Sequence, residues 1–220
     1  MLESNITTTA DAQQRYIKSY YRLHARLYDF TRWAFLFGRI ALMKALPFAS
    51  GQPLDILEVG CGTGFNLKRL ALRYPNATLV GVDVSEDMLS QTARKLAGIA
   101  NKIYLLEQAY GKEKPINKKF DVILFSYSLS MINPQWKEVL EQAAANLKEG
   151  GVVAIVDFHN TRAPLLWRWL RGHNVRIGGH LYHALQTMFT PLTSEIHTAY
   201  KGLWEYFIFV GRCKQPVADR

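Results

Sequence analysis

Between Leu54 and Phe158, short apolar runs alternate with segments whose apolar residues fall three and four apart. The runs LDILEV, ATLVGVDV, IYLLE, FDVILFS and GGVVAIVDF (54–59, 77–84, 103–107, 120–126 and 150–158) are brief, rich in Val, Ile and Leu, and bounded by glycine or polar residues. Runs of that kind predict buried strands. FNLKRLALRY, EDMLSQTARKLAG and QWKEVLEQAAANL (65–74, 86–98 and 135–147) carry helical spacing. Strands alternating with helices predict a parallel sheet built by right-handed crossovers. The end of the chain breaks this rhythm. LTSEIHTAY and LWEYFIFVGRC (192–200 and 203–213) are strand-like and joined only by Lys201 and Gly202. A connection that short leaves no room for a crossover helix, so the two runs predict an antiparallel hairpin. The expected architecture is α/β: a seven-stranded sheet of five parallel strands plus a C-terminal antiparallel hairpin, with helices on both faces.

The first 48 residues follow a different pattern. Residues 1–10 read as a frayed tail and 11–48 as a helical cap of two helices broken near His24 to Asp29. Lys18, Arg22 and Arg26 share one helical face. Arg32 and Arg39 share another, with Trp33, Leu36, Phe37, Ile40 and Met43 around the rest. Residues 49–220 form the main body of a single domain. At 49% apolar residues, a chain of 220 buries a core without covalent staples. Two distant cysteines, Cys61 and Cys213, make no disulfide framework and point to a reducing cytoplasm. The first twenty residues lack a long apolar run, and Arg39 and Lys44 interrupt the most apolar stretch, so neither a leader nor a spanning helix is expected.

Charge adds a further distinction. The net charge is +9, and the surplus sits at the two ends of the chain. Arg15 to Lys44 holds seven bases against one acid, Asp29, and Phe158 to Ser194 holds four arginines and no acid. Such segments meet anionic lipid or nucleic acid, or are simply solvated.

The loop after the first strand carries the chemistry. Glycines at 60, 62 and 64 let the backbone turn tightly and approach a ligand closely. Their G-x-G-x-G spacing brings the third glycine one residue earlier than in the dinucleotide fingerprint, and no P-loop lysine follows. Glu58, ahead of the loop, repels phosphate and suits a ligand carrying an amino group. Asp83 ends the second strand, where an acid accepts from ribose hydroxyls, and Ser85 is the better N-cap for the helix that follows. Cys61 reads as a small packing residue.

Several of these motifs occur in order: E-V-G-C-G-T-G, V-D-V-S-E-D-M-L and L-K-E-G-G. Over residues 54–160 the chain resembles the class I, Rossmann-like S-adenosylmethionine-dependent methyltransferases. The resemblance implies S-adenosyl-L-methionine as cofactor and S-adenosyl-L-homocysteine as product; the six scattered histidines show no metal-ligand spacing, so no metal is expected. It also implies that Gly60, Cys61, Gly62 and Gly64 hold the methionine portion, Asp83 the ribose, and Val84 and Met88 the adenine. Gln108-Ala109 stands where the family often has Asp-Ala at the adenine amino group.

The sulfonium is already activated, so catalysis needs alignment and exclusion of water, with a base only where the nucleophile arrives protonated. Tyr127 and His159, at the ends of strands four and five, are the catalytic candidates, Tyr127 facing the methyl group or packing and His159 a base, a substrate ligand or a hydrogen-bonded bystander; Ser126 is counted with the cofactor-binding residues and Asp157 reads as structural. A second resemblance concerns the acceptor. Tyr20-Tyr21-x-x-His24-Ala25-x-Leu27-Tyr28-Asp29-x-Thr31-Arg32, then Phe37-Gly38-Arg39, is similar to the opening of betaine-lipid N-methyltransferases. Ser126 to Ile132 and Val156-Asp157-Phe158 extend the likeness, and phospholipid N-methyltransferases and quinone C-methyltransferases are related to it. It implies that Tyr28 and Arg39 help close the cofactor site and that the acceptor is an amino-headgroup lipid at the inner membrane surface. Pro164 to Arg171, with its Trp and Arg, suits a bilayer interface or a lid helix. A soluble small molecule or quinone acceptor, and a non-catalytic or RNA-acting protein, remain open. Nucleic acid is disfavoured, since no RNA-binding appendage or Asn-Pro-Pro-Tyr type motif is present.

Overall fold

The structure, a computed structural model, describes residues 36–111, 115–172 and 174–214. The tail, most of the predicted cap, the Tyr20 to Arg32 motif and Tyr28 lie outside the described residues.

A short helix α1 (Arg39–Lys44) precedes β1 (Asp55–Val59), α2 (Phe65–Arg73), β2 (Thr78–Asp83), α3 (Glu86–Leu96) and β3 (Lys102–Glu107). Then come β4 (Phe120–Ser126), α4 (Trp136–Asn146) and β5 (Leu147–Thr161). The last elements are α5 (Pro164–Gly172), α6 (His180–Met188), β6 (Phe189–Ala199) and β7 (Trp204–Cys213). One sheet of seven strands runs β3-β2-β1-β4-β5-β7-β6, the expected architecture. The first five strands pair in parallel, and β7 inserts antiparallel between β5 and β6. Chain order reverses between β1 and β4, which opens a crevice at their carboxyl ends.

Both sheet faces are buried, which is why the parallel strands read as continuous apolar runs. On one face α1, α2 and α3 bury Leu42, Leu67, Leu70 and Leu96 against Ile56, Leu79, Val122 and Val156. On the other, α4 and α6 bury Leu140 and Leu185 against Leu57, Ile123, Val153 and Phe207. At the amino ends of the strands, Lys148 bridges Asp55 and Asp121 at 2.8 Å each, pinning β5 to its neighbours away from the crevice.

Three details differ from expectation. The helix at the cap's end begins only at Arg39, because Gly38 adopts φ +79, so Leu36 and Phe37 precede it. The β6–β7 connection is four residues, Tyr200 to Leu203, whose first three have φ of 48, 58 and 91. Strand β6 starts at Phe189 and contains Pro191 at a register shift, which an edge strand tolerates.

Candidate active site

The loop at the end of β1 is held from below. The amides of Gly60 and Cys61 both donate to Val82 O, at 2.8 and 3.0 Å. Gly60, Gly62 and Gly64 all have positive φ, at 72, 53 and 73. Gly64 is also the residue before α2, and a Cβ on it would lie 2.7 Å from Thr92 Cγ2. A Cβ on Gly60 would lie 2.6 Å from that of Ser128, whose hydroxyl donates to Val59 O at 2.8 Å. The loop therefore threads between α3 and the residues after β4, at the sheet's switch point.

Asp83 links this loop to the next helix. Its Oδ2 accepts from Gly62 N at 2.8 Å and its Oδ1 from Ser85 N at 3.0 Å. Ser85 itself caps α3, its hydroxyl accepting from Met88 N. Thr92 closes the circuit by donating from Oγ1 to Gly62 O at 2.7 Å. Val84 is half-buried and Met88 buried beside Asp83; Gln108 N donates to Asp83 O at 3.0 Å, and Ala109 is exposed next to it. Residues from the ends of β1, β2 and β3 thus come together around Asp83, β1 and the start of α3 through its carboxylate and β3 through its backbone carbonyl.

Glu58 is almost fully buried, and its Oε1 accepts from Asn66 Nδ2 at 2.7 Å. That bond ties the end of β1 to the first turn of α2. Cys61 is buried, with its sulfur over Gly81, where a Cβ would come within 3.0 Å.

The chain preceding α1 crosses toward the same end. The Tyr127 hydroxyl donates to Phe37 O at 2.9 Å. The Arg39 guanidinium lies 3.8 Å from the Phe65 ring centre, and Arg69 flanks the same ring at 3.8 Å. Tyr127 has φ 56 and is buried. Burial first, then Asp157 and Tyr206, pushes its phenol well above the usual value of 10, with Arg39 pulling it partly back. Near neutral pH this group is a hydrogen-bond donor that tethers the Phe37 backbone.

Ser126 is buried at the end of β4. Asp157 is fully buried on β5; its Oδ2 accepts from Ser130 N at 3.0 Å and its Oδ1 from Phe158 N at 2.8 Å. Burial raises its carboxyl to about 6 despite these donors. His159, two residues on, is half-buried beside Tyr182 and Phe207, and its carbonyl accepts from the amides of Gly178 and Gly179. Burial holds its imidazole below the usual 6.5, so it is neutral at neutral pH. Around the end of β5, Phe37, Phe158 and Tyr206 surround Trp204 with ring centres 5.2–5.9 Å from it.

The glycines, Asp83, Val84, Met88, Gln108 and Ala109 come together at one end of the sheet, as do Ser126, Tyr127 and Arg39. His159 lies on the opposite sheet face from Tyr127, the side of α6. Sequence reasoning missed Asn66, Thr92 and Ser128. Thr92 carried one signal: it continues the buried Met88–Leu96 face of α3 with a hydroxyl.

Residues 56–151 match the family model described as a methyltransferase domain. The chain is 30% identical over 127 residues to trans-aconitate 2-methyltransferase of Methylobacterium nodulans, covering 56% of this chain and 45% of that protein. It is 28% identical over 186 residues to the ubiquinone/menaquinone biosynthesis C-methyltransferase of Syntrophotalea carbinolica, covering 81% and 75%. Among solved structures, the 1,6-didemethyltoxoflavin-N1-methyltransferase of Burkholderia thailandensis, with 1,6-didemethyltoxoflavin and S-adenosylhomocysteine bound, gives a TM-score of 0.70. That comparison covers 95% of this chain and 90% of the other at 18% identity, a likeness of fold. The chain spans less than half the length of the first curated relatives it matches. Over residues 56–151 the chain is similar to a methyltransferase domain, and its seven-stranded sheet shares the fold of the solved methyltransferases it resembles.

Proposed function

We propose that the protein transfers a methyl group from S-adenosylmethionine to the amine of an amino-headgroup lipid. In this reading the backbone of Gly60, Cys61 and Gly62 cradles the methionine portion, and Gly64 sets the loop's exit into α2. Asp83 accepts from the ribose hydroxyls. Val84 and Met88 line the adenine, with Gln108 and Ala109 at its amino edge. Glu58 favours the ligand's amino group through its field. Tyr28 and Arg39 close the site, Tyr127 positions the segment they flank, and Ser126 borders the reacting methyl.

The unprotonated amine attacks the methyl carbon in line. The C–S bond breaks with its electron pair going to sulfur, leaving S-adenosylhomocysteine and an alkylated ammonium. The proton that must leave before a further transfer passes to solvent, since His159 faces the α6 side of the sheet, away from the rings around Trp204.

The observation that supports the amine reading is the aromatic group at the carboxyl end of β5, where Phe37, Phe158 and Tyr206 stay partly exposed around a buried Trp204. Ring faces attract an ammonium ion while their edges pack on an apolar body. A quinol acceptor is the second reading, favoured by the likeness over 186 residues to a quinone C-methyltransferase. The test incubates the purified chain with S-adenosylmethionine and either phosphatidylethanolamine vesicles or a demethylated quinol, followed by mass spectrometry. Mono- and dimethylated headgroups support the proposal. Methylated quinol with unchanged lipid replaces it with the second reading, and no methylated product from either acceptor refutes both.

A further inference from the structure

Helix α5 presents an outward face unlike that of an ordinary surface helix. Leu170 is its buried anchor, with Leu166 half-buried beside it. Outward it carries Leu165 at 80% exposure, Trp169 at 49% and Trp167 at 40%. Between them stand Arg168 and Arg171, both exposed, and the Arg171 guanidinium lies 4.7 Å from the centre of one Trp167 ring. Leu165 and Trp169 are one turn apart on one flank; Trp167 and Arg171 are one turn apart on the other. Two partly exposed tryptophans and an exposed leucine are a large apolar load for the outer face of a nine-residue helix.

The turn between β6 and β7 adds to the same rim. Tyr200 and Leu203 are exposed there, with Lys201 between them. Thr161 ties the turn to the root of α5: its hydroxyl donates to Leu203 O at 2.7 Å and accepts from Ala163 N at 3.1 Å. Tyr200 and Lys201 both adopt left-handed backbone, with φ of 48 and 58, a conformation non-glycine residues rarely hold. That strained turn holds an aromatic, a cation and a leucine outward beside the helix.

We infer that α5 and the β6–β7 turn form the face by which the protein lies on an anionic bilayer. This rests on the proposed lipid acceptor, since the face flanks the carboxyl end of β5 where that acceptor is placed. Tryptophan rings and a leucine enter the headgroup and upper acyl region, and the arginines reach phosphates from alongside them. Charge complementarity selects the occupant. No Asp or Glu occurs from Phe158 to Ser194, while Arg162, Arg168, Arg171 and Arg176 all do. A second copy of the chain is the poorer fit, because a two-fold contact on this face would set Arg168 and Arg171 against their own equivalents.

The experiment measures cosedimentation of the full chain with phosphatidylglycerol/phosphatidylcholine vesicles and with phosphatidylcholine alone, together with tryptophan emission. Wild type binds the anionic vesicles, with a blue shift, and falls off in salt. Arg168→Glu/Arg171→Glu weakens binding by at least about 25-fold, from about fivefold per arginine removed. Leu165→Ser/Trp167→Ser/Trp169→Ser abolishes the blue shift, and both variants keep the wild-type melting temperature because the altered side chains are exposed. Unchanged vesicle binding in both variants overturns the inference by placing the contact elsewhere in the chain. Concentration-dependent self-association without vesicle binding overturns it in favour of a second copy. Methylation of a detergent-dispersed acceptor is followed in parallel. If it proceeds while vesicle binding fails, only the docking face is lost; if vesicles bind and no amine lipid is methylated, only the acceptor is.

Discussion

Asp83 is the residue on which the glycine loop and α3 both depend. One carboxylate oxygen holds Gly62 N and the other Ser85 N. Asp83→Ala leaves both amides without that partner and removes the proposed ribose contact. Hydrogen bonds to a charged group are worth about 1.5–3 kcal/mol each, so affinity for S-adenosylmethionine falls by about 100-fold or more. Asp83→Asn, which keeps one acceptor, loses less. Calorimetric titration measures both, and normal binding by the alanine variant would remove Asp83 from the cofactor site. Asp157 allows a different test, because burial lifts its carboxyl from 3.8 to about 6. Below 3.8 the native and unfolded chains both hold the proton; between 3.8 and 6 only the native chain does. Stability is therefore lost as pH rises through that window, by on the order of 3 kcal/mol over its full width. Asp157→Asn cannot titrate, so its melting temperature gains on wild type from pH 4 to 6 and the gap then levels off. A gap independent of pH would show that the buried carboxyl is not raised.

At the level of elements, Gly64 joins two requirements: it starts α2 in a left-handed conformation and leaves space for Thr92. Gly64→Ala pays for the left-handed backbone and displaces the Thr92 hydroxyl from Gly62 O. The combined loss is about 1–3 kcal/mol, read from chemical denaturation. Gly98 also has positive φ, at 82, but nothing lies within 4 Å of its Cβ position, so Gly98→Ala suffers the backbone strain alone. Equal losses at the two positions would mean that the Thr92 contact contributes nothing. The same pair shows what was legible in sequence. Glycine spacing announced the loop, and apolar runs announced β1 to β5, because both faces of those strands are buried. Helix α6 was not anticipated: only Leu181 and Leu185 of HLYHALQTM are buried, too few to establish a period. The start of β6 was hidden by Pro191, which argues against a strand anywhere but at an edge. The hairpin connection was read as two residues because Tyr200 and Leu203 continue a strand-like apolar pattern, while their backbone belongs to the turn. In the site, Asp83 and the glycines were legible from local order. The partners of Asn66, Ser128 and Tyr127 were not, since Glu58, Val59 and Phe37 reach them only through the fold.

For the whole molecule, the sheet's order decides where a ligand binds, at the switch point between β1 and β4. The switch point between β1 and β4 is shared by dinucleotide-binding and methyltransferase folds, and what separates them here is local: the early third glycine, the buried Glu58 and the antiparallel β7 inserted beside β5. A ligand that binds only the native state raises its stability by mass action, by about 2.7 kcal/mol at a hundred times its dissociation constant. For a chain of this size that is a rise of about 5–10 °C in melting temperature. S-adenosylhomocysteine produces this shift in the wild type, while NAD at the same concentration produces none, since phosphate meets a negative field and no third glycine where a pyrophosphate needs it. Asp83→Ala removes most of the shift and also lowers the unliganded melting temperature, because the same carboxylate holds Gly62 N and Ser85 N. A comparable shift with NAD would overturn the cofactor assignment for the whole sheet and not merely for one residue.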